Sequence, residues 1–321
     1  MDTYRVAVIG ARWPDISIEC DVLETSPHDV ACDPGATREA VLAAAADAEV
    51  ILAGPRPRFD AGTLEQLRCR GIVRYGVGYD NVDLEAANRL GIMVATVPDY
   101  GTEAVALHAL TLALTGLRRI LDADRMVKAG TWDVQPLRPL HLPSALAAGV
   151  VGFGRIGRRL AEHLRSIGFG RVLAYDPGAP IETPGVETAS LEELLAACDV
   201  VSLHAPARPD GAALLGPAEF DVMRPGSILV NTARGSLIDV DALVVALRLG
   251  RPAVAALDVF DPEPAAIDRF APVIDQIIAT PHMAWYSEES ERDLRMKAAA
   301  EAKRMLDGAA PLHPVSTESE T

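Results

Sequence analysis

Short apolar runs bounded by glycine, proline or acidic residues recur along this chain, and they alternate with stretches in which apolar residues return every three or four positions. Up to residue 98 the runs are VAVIG, HDVAC, EVILAG, GIVRYG and IMVATVP; the helical stretches between them lie near 15–24, from Thr37 to Ala48, near 60–68 and from Asp83 to Leu90. Alternation of this kind predicts a parallel sheet covered by helices on both faces, complete as a small domain. From Thr102 to about Leu121 the residues Ala104, Leu107, Leu110, Leu112 and Leu114 leave little polar face. A helix apolar nearly all round is buried, and here it is expected between domains. Residues 122–147 are charged and proline-rich, with Trp132, Pro136, Pro139 and Pro143, a composition suited to wrapping a partner subunit.

A second strand–helix series starts at Ala148. It continues through a helix opened by the capping pair Ser190 and Glu193, the strand DVVSLH, the turn Arg224-Pro225-Gly226 and the strand SILVN. A helix from about Val240 to Leu249 stops at Gly250, the strands AVAAL and IIAT follow, and a last helix spans about Ser287 to Asp307 with Glu288, Glu289 and Glu291 at its positive end. The tail from Gly308, GAAPLHPVSTESET, has little to bury and is expected to be loose. The pattern predicts an α/β chain of two doubly wound parallel-sheet domains, one inserted in the other: residues 1–98 plus 286–321, and residues 99–285.

The inserted series begins with a unit that carries its own chemistry. After Val150-Val151 come Gly152, Gly154 and Gly157 in the spacing G-x-G-x-x-G, then a helix with Leu160, Leu164 and Ile167 on one face, then a strand closing on Asp176. The glycines allow a tight turn, close approach of backbone to a pyrophosphate, and close packing of helix on strand. The helix start offers free N–H groups to the phosphates, and a carboxylate at the position of Asp176 accepts from a ribose 2′-hydroxyl. No Lys or Arg lies between Pro177 and Ser190 to receive a 2′-phosphate, so the expected cofactor is NAD rather than NADP. The unit marks the inserted domain as a Rossmann dinucleotide-binding domain.

Composition narrows the classes. The chain has 321 residues, 49% of them hydrophobic, enough for a large core and two domains. A net charge of -15 argues against a nucleic-acid surface. Cys20, Cys32, Cys69 and Cys198 show neither C-x-x-C nor a paired histidine spacing, so no metal site and no disulfide framework is expected, and the thiols read as reduced and mostly buried. No apolar run reaches the length of a signal peptide or membrane span, and the expected location is the cytoplasm.

In doubly wound sheets ligand chemistry gathers at the carboxyl ends of strands. Three such ends bear ionisable residues: Arg234 in NTARGSLID, Asp258 and Glu263 in LDVFDPEP, and His282 in TPHMAW. An arginine grips a carboxylate in a two-pronged fork, an imidazole protonates a carbonyl oxygen as hydride arrives, and a carboxylate behind the imidazole raises its basicity and sets its tautomer. Each residue also has an ordinary reading, as a solvated turn arginine, a surface-loop glutamate or a satisfied polar histidine. His204, ending VVSLH, stands beside the expected cofactor cleft; His108 in the apolar helix and His163 after the glycines take the ordinary reading.

At these residues the chain closely resembles the D-isomer-specific 2-hydroxyacid dehydrogenases, through RYGVGYDNVDLEAANRLGI, VGFGRIG with Asp176, LHAP, LVNTARGSLID, ALDVFDPEP and TPHMAWYSEES in order. The resemblance implies a flavodoxin-like substrate (lid) domain around the Rossmann domain, and a homodimer formed through residues 120–147. It implies His282 as general acid and base, Glu263 as its carboxylate partner and Arg234 as substrate anchor. The Val77-Gly78 backbone would offer N–H groups to the substrate carboxylate, Asp258 would hold the nicotinamide carboxamide, Arg155 and Ile156 would cover the pyrophosphate, and Thr232, Ala233, His204 and Pro206 would line the cofactor site. VRYGVG and TPHMAWYSEES are most similar to the branch containing the C-terminal-binding-protein corepressors, which implies that Arg74 and Trp285 face the substrate; domain packing is the alternative for Trp285.

Two departures bear on substrate and cofactor. Where family members often have a hydroxyl-rich segment after LHxP, this chain has Ala207-Arg208-Pro209-Asp210-Gly211, so a threonine contact to the cofactor is missing. In Gly54-Pro55-Arg56-Pro57-Arg58 two arginines stand between prolines, either to read a second anionic group or as a solvated loop. The expected activity is NAD-dependent interconversion of a 2-hydroxyacid and a 2-oxoacid, working as a 2-oxoacid reductase on a small anionic substrate. The alternatives are a doubly anionic substrate such as a phosphonate or phosphoglycerate and, from another class, an NAD-sensing corepressor-like protein.

Overall fold

The computed structural model describes residues 5–315 apart from Pro14, Ala36, Ala179 and Pro209. The chain divides into two compact units, residues 1–101 with 287–321 and residues 102–286.

The first unit runs β1 (Val6–Ile9), α1 (Ser17–Leu23), β2 (Val30–Asp33), α2 (Arg38–Ala45), β3 (Val50–Ala53), α3 (Ala61–Leu64), β4 (Gly71–Arg74), α4 (Leu84–Leu90) and β5 (Met93–Ala95). Its strands order as β2-β1-β3-β4-β5, the flavodoxin-like arrangement, with all of these pairs parallel. Asp83 caps α4 by accepting from Ala86 N, and Gly91 closes it in the left-handed conformation. Strand order reverses beside β1, so the loops after β1 and β3 meet there. Gly54 lies so close to Gly10 that a Cβ on it would stand 1.9 Å from the Gly10 carbonyl oxygen.

The second unit runs α5 (Thr102–Leu117), α6 (Ile120–Lys128), β6 (Ala147–Val151), α7 (Arg155–Ser166), β7 (Arg171–Tyr175), β8 (Glu187–Thr188), α8 (Leu191–Ala197), β9 (Val200–Leu203), α9 (Pro217–Val222), β10 (Ile228–Asn231), α10 (Val240–Arg248), β11 (Val254–Leu257) and β12 (Ile277–Ala279). Its sheet is parallel throughout and ordered β8-β7-β6-β9-β10-β11-β12, the Rossmann order, with the reversal between β6 and β9. Alternate residues of one strand enter opposite cores: Val151, Leu173, Val201 and Leu229 pack with α8 and α10, while Val150, Val172, Val200 and Ile228 pack with α5 and α7. The chain then returns to the first unit through α11 (Glu288–Leu306), capped by Ser287, and β13 (Pro314–Val315).

Three expectations are corrected. The apolar helix ends at Leu117, and its buried side, Ala106, Ala109, Leu110, Leu112 and Ala113, packs into the core of the second unit beside β6, β10 and α7. That side belongs to the core of its own unit, while Leu107 is exposed, so the helix is not buried all round. The charged stretch from 122 belongs in part to α6, because Asp122 and Asp124 pair with Arg125 and Lys128 one turn on, which supports a helix that buries none of its own residues. Within the tail, Pro314 and Val315 form β13, antiparallel to β5, held by buried Glu301 accepting from Leu312 N and His313 N; residues 316–321 lie outside the described residues. Among the described residues no single helix is long and apolar enough to cross a membrane.

Candidate active site

The cofactor cradle is built at the reversal of the second sheet. Gly152 follows β6, and α7 begins at Arg155, which is exposed at its first turn, with Ile156 packed against the core. Gly157 has no room for a side chain, since a Cβ there would lie 2.1 Å from the Gly152 carbonyl oxygen; this closeness seats the helix on the turn. Asp176, just after β7, accepts from Phe153 N at 2.7 Å and Gly178 N at 2.8 Å, which aims its carboxylate across the glycine turn. His204 follows β9 and meets Ser202 Oγ through Nε2 at 2.8 Å. Burial lowers its pKa to about 4, so it is neutral near pH 7.

Two polar atoms there, Nδ1 of His204 and Oγ1 of Thr232, are buried without a hydrogen-bond partner among the described residues. Buried polar groups left unmatched at a strand end are what a polar ligand satisfies. Beyond Gly154 nothing lies within 4 Å of where a Cβ would point, and that open position adjoins the start of α7. The residues present fit a dinucleotide. Pro206 is exposed and Ala233 half-buried beside them; of the segment 207–211, Pro209 lies outside the described residues.

The three candidate reactive residues stand beyond the carboxyl ends of β10, β11 and β12. Arg234 follows β10, where buried Asn231 donates to the Arg234 carbonyl at 2.8 Å and accepts from Ala233 N at 3.0 Å, fixing the turn. Gly235 lets that turn touch the next loop: a Cβ on it would lie 2.1 Å from the Phe260 carbonyl carbon. Glu263, three residues on, meets His282 Nδ1 at 2.8 Å through Oε2 and 3.1 Å through Oε1. A carboxylate only accepts, so Nδ1 carries the proton and Nε2 is the atom left for chemistry. His282 holds φ 53°, a left-handed backbone unusual outside glycine. Trp285 Nε1 donates to the His282 carbonyl at 3.0 Å and its ring packs edge-on against Tyr286, so the indole braces the histidine loop.

Asp258 is tied closely to the loop before His282 and the residues after it. It is fully buried; Oδ1 accepts from Thr280 Oγ1 and Met283 N, and Oδ2 from Ala284 N. These bonds hold the loop that carries His282.

In the first unit Arg74, at the end of β4, donates through Nε to Asn81 Oδ1 at 3.1 Å and through a second nitrogen to the Tyr75 carbonyl. Asn81 in turn donates to the carbonyls of Gly54 and Pro57, joining Arg74 to the arginine loop. Arg56 and Arg58 are exposed, Val77 is exposed and Gly78 half-buried. The sequence reading passed over Asn81 and Asn231. The signal was an asparagine at the end of β10 for Asn231 and one in the loop after β4 for Asn81, since either amide can bond loop backbone on two sides.

Residues 110–284 match the model of the D-isomer specific 2-hydroxyacid dehydrogenase NAD binding domain. The chain belongs to the D-isomer-specific 2-hydroxyacid dehydrogenases. It is 34% identical over 290 residues to a glyoxylate reductase of Aeropyrum pernix, covering 87% of this chain and 86% of that protein. It is 34% identical to a D-3-phosphoglycerate dehydrogenase of Archaeoglobus fulgidus over 90% of this chain, and spans about half, 55%, of that protein's length. Among solved structures of this dehydrogenase family, a D-lactate dehydrogenase from Aquifex aeolicus, complexed with NAD and lactic acid, superposes with a TM-score of 0.84 at 27% identity, covering 94% of this chain and 96% of that one.

Proposed function

We propose that the chain is an NAD-dependent oxidoreductase that interconverts a 2-hydroxyacid and a 2-oxoacid and works as a 2-oxoacid reductase. The observation that carries this reading is the His282–Glu263 pair beside the Arg234 turn, at the strand ends of an NAD binding domain. A bound nicotinamide would supply the hydride. Arg234 anchors the substrate carboxylate in its fork, and His282 gives the proton on Nε2 to the carbonyl oxygen while Glu263 stabilises the imidazolium before and holds the ring afterwards. Asp176, with no cation between residues 177 and 190, favours a ribose 2′-hydroxyl and hence NADH over NADPH.

The test is NADH oxidation by purified protein against glyoxylate, pyruvate, hydroxypyruvate, 2-oxoglutarate, phenylpyruvate and phosphonopyruvate, repeated with NADPH and with His282→Ala. Turnover is expected to fall ~10²–10⁴-fold in the variant, the usual contribution of a general acid. Near wild-type turnover in His282→Ala would remove the mechanism, and faster reaction with NADPH would remove the reading of Asp176.

One observation favours a doubly anionic substrate within this activity. Arg56 and Arg58 have no hydrogen bond or ion pair among the described residues, and Asn81 ties their loop to Arg74. Arg74, the Val77-Gly78 backbone and these arginines are the groups the first unit offers to an anion. A preference for phosphonopyruvate or 2-oxoglutarate that Arg56→Ala abolishes supports it; a best substrate with one carboxylate and no response to Arg56→Ala rejects it.

A homodimer is proposed through residues 120–147. Ile120, Leu121, Val127, Trp132, Val134 and Leu142 are exposed there, and α6 buries nothing of its own.

A further inference from the structure

His108 sits on α5, far in sequence from every residue so far given a chemical role, yet its ring reaches the loop that carries His282. Nε2 of His108 lies 3.1 Å from Thr280 Oγ1 and 3.7 Å from Asp258 Oδ1, with the side chain 18% exposed. Thr280 Oγ1 lies 2.5 Å from Asp258 Oδ1. A carboxylate has no proton to give, so the threonine hydroxyl must donate to Asp258. Its oxygen is then free to accept, and the partner in place is His108 Nε2–H. The order of donors therefore runs from His108 to Thr280 to Asp258.

Asp258 is where this chain of bonds meets the reactive residue. Its carboxylate accepts from Met283 N and Ala284 N, each at 2.9 Å, and its backbone carbonyl accepts from His282 N at 2.8 Å. Three consecutive amides, 282 to 284, thus close on one buried residue and hold His282 in its left-handed conformation. A threonine hydroxyl rotates among staggered positions, and only one of them points its hydrogen at Asp258. A donor on the other side of the oxygen selects that rotamer.

We propose that His108 is a positioning residue of the reaction: by donating to Thr280 it fixes the hydroxyl on Asp258, and through Asp258 it sets the backbone that aims His282. The assignment rests on the role given to His282 above. His108 touches neither substrate nor reacting atoms in this account. Its loss acts on the geometry of proton transfer, and displacement of a reacting group by about an ångström is enough to cost on the order of 100-fold.

The experiment compares wild type with His108→Leu, His108→Gln and Thr280→Val by three readouts: kcat and KM for the best 2-oxoacid, the Kd of NADH by fluorescence, and amide hydrogen exchange of residues 282–284. His108→Leu and Thr280→Val are expected to lower kcat ~10-fold or more with the NADH Kd unchanged, and to speed exchange at Met283 and Ala284. His108→Gln, which keeps a side-chain N–H donor, is expected to recover part of both. A His108→Leu enzyme with wild-type kcat and wild-type exchange overturns the proposal, as does a loss of turnover explained wholly by weaker NADH binding. If wild type reduces no 2-oxoacid, or His282→Ala is fully active, the functional reading fails instead, and exchange at 283 and 284 still decides whether His108 holds the loop.

Discussion

An imidazole buried as His204 is stays neutral where a free histidine takes up a proton. Burial alone lowers its pKa to about 4 from 6.5, so between those values the unfolded chain binds a proton that the folded chain refuses. The stability this contributes is present in full above pH 6.5 and is lost as pH falls through the window toward 4. Urea unfolding of the cofactor-free protein should show an acid loss on the order of 2–3 kcal/mol from this residue, and His204→Gln should flatten that limb. An identical pH profile in the variant would show that the imidazole is hydrated in the folded protein. The place of His204 just past a strand was legible from VVSLH. Its neutrality was not, because burial depends on neighbours that one strand does not name.

Among the elements, α1 and α11 are joined by a charge pair with almost no access to water. Arg295 donates to Glu19 through Nε at 3.0 Å and through a terminal nitrogen at 2.7 Å, Tyr75 donates its hydroxyl to the same carboxylate at 3.0 Å, and the guanidinium stacks over Trp13. Burial and the Glu19 charge push the Tyr75 phenol well above its ordinary pKa. Removing Glu19 takes from buried Arg295 its two nearest carboxylate contacts and leaves it the Asp15 carbonyl at 2.7 Å and the Asp15 and Glu291 carboxylates at 3.6 and 3.8 Å, at a cost toward the lower end of the roughly 3–5 kcal/mol typical of a broken buried pair. Glu19→Ala is therefore expected to lower the denaturation midpoint sharply, while exposed Glu65→Ala, which breaks only the surface pair with Arg89, should shift it little. Equal effects from the two would contradict the burial argument. Tyr75 leads directly into Gly76, Val77 and Gly78, so this pair also fixes the start of the loop assigned to the substrate. Both helices were read from the sequence at nearly their true lengths. The pair was not, since its members are 276 positions apart and look like ordinary surface charges in amphipathic helices.

For the whole molecule, the exposed apolar side chains from Ile120 to Leu142 set an expectation about assembly. Trp132 is 89% exposed, a large area to leave in water, and residues of this kind in a continuous segment mark a protein contact. Wild type should sediment as a dimer, and Trp132→Asp combined with Val127→Asp should yield monomer with its secondary structure intact. A wild-type monomer at tens of micromolar, or an unaltered dimer in the double variant, would move the contact elsewhere.

The sequence by itself determined the two α/β units, the acid Asp176 just after its strand, the glycine turn and the placement of Arg234, Glu263 and His282 beyond strand ends. Those features are local: a period of two or of three to four residues, a fixed spacing of glycines, and ionisable side chains just past strand ends. The pairing of His282 with Glu263, the closeness of Gly235 to Phe260 and the enclosure of Asp258 by residues 280–284 join positions that the strand order alone brings together. The same holds for β13, whose two residues bury too little to signal a strand but complete an edge that β5 leaves open. His108 shows the limit most plainly. On its own helix it is one polar side chain among alanines and leucines, and only the packing of α5 beside β11 places its ring against Thr280, where a donor has something to hold.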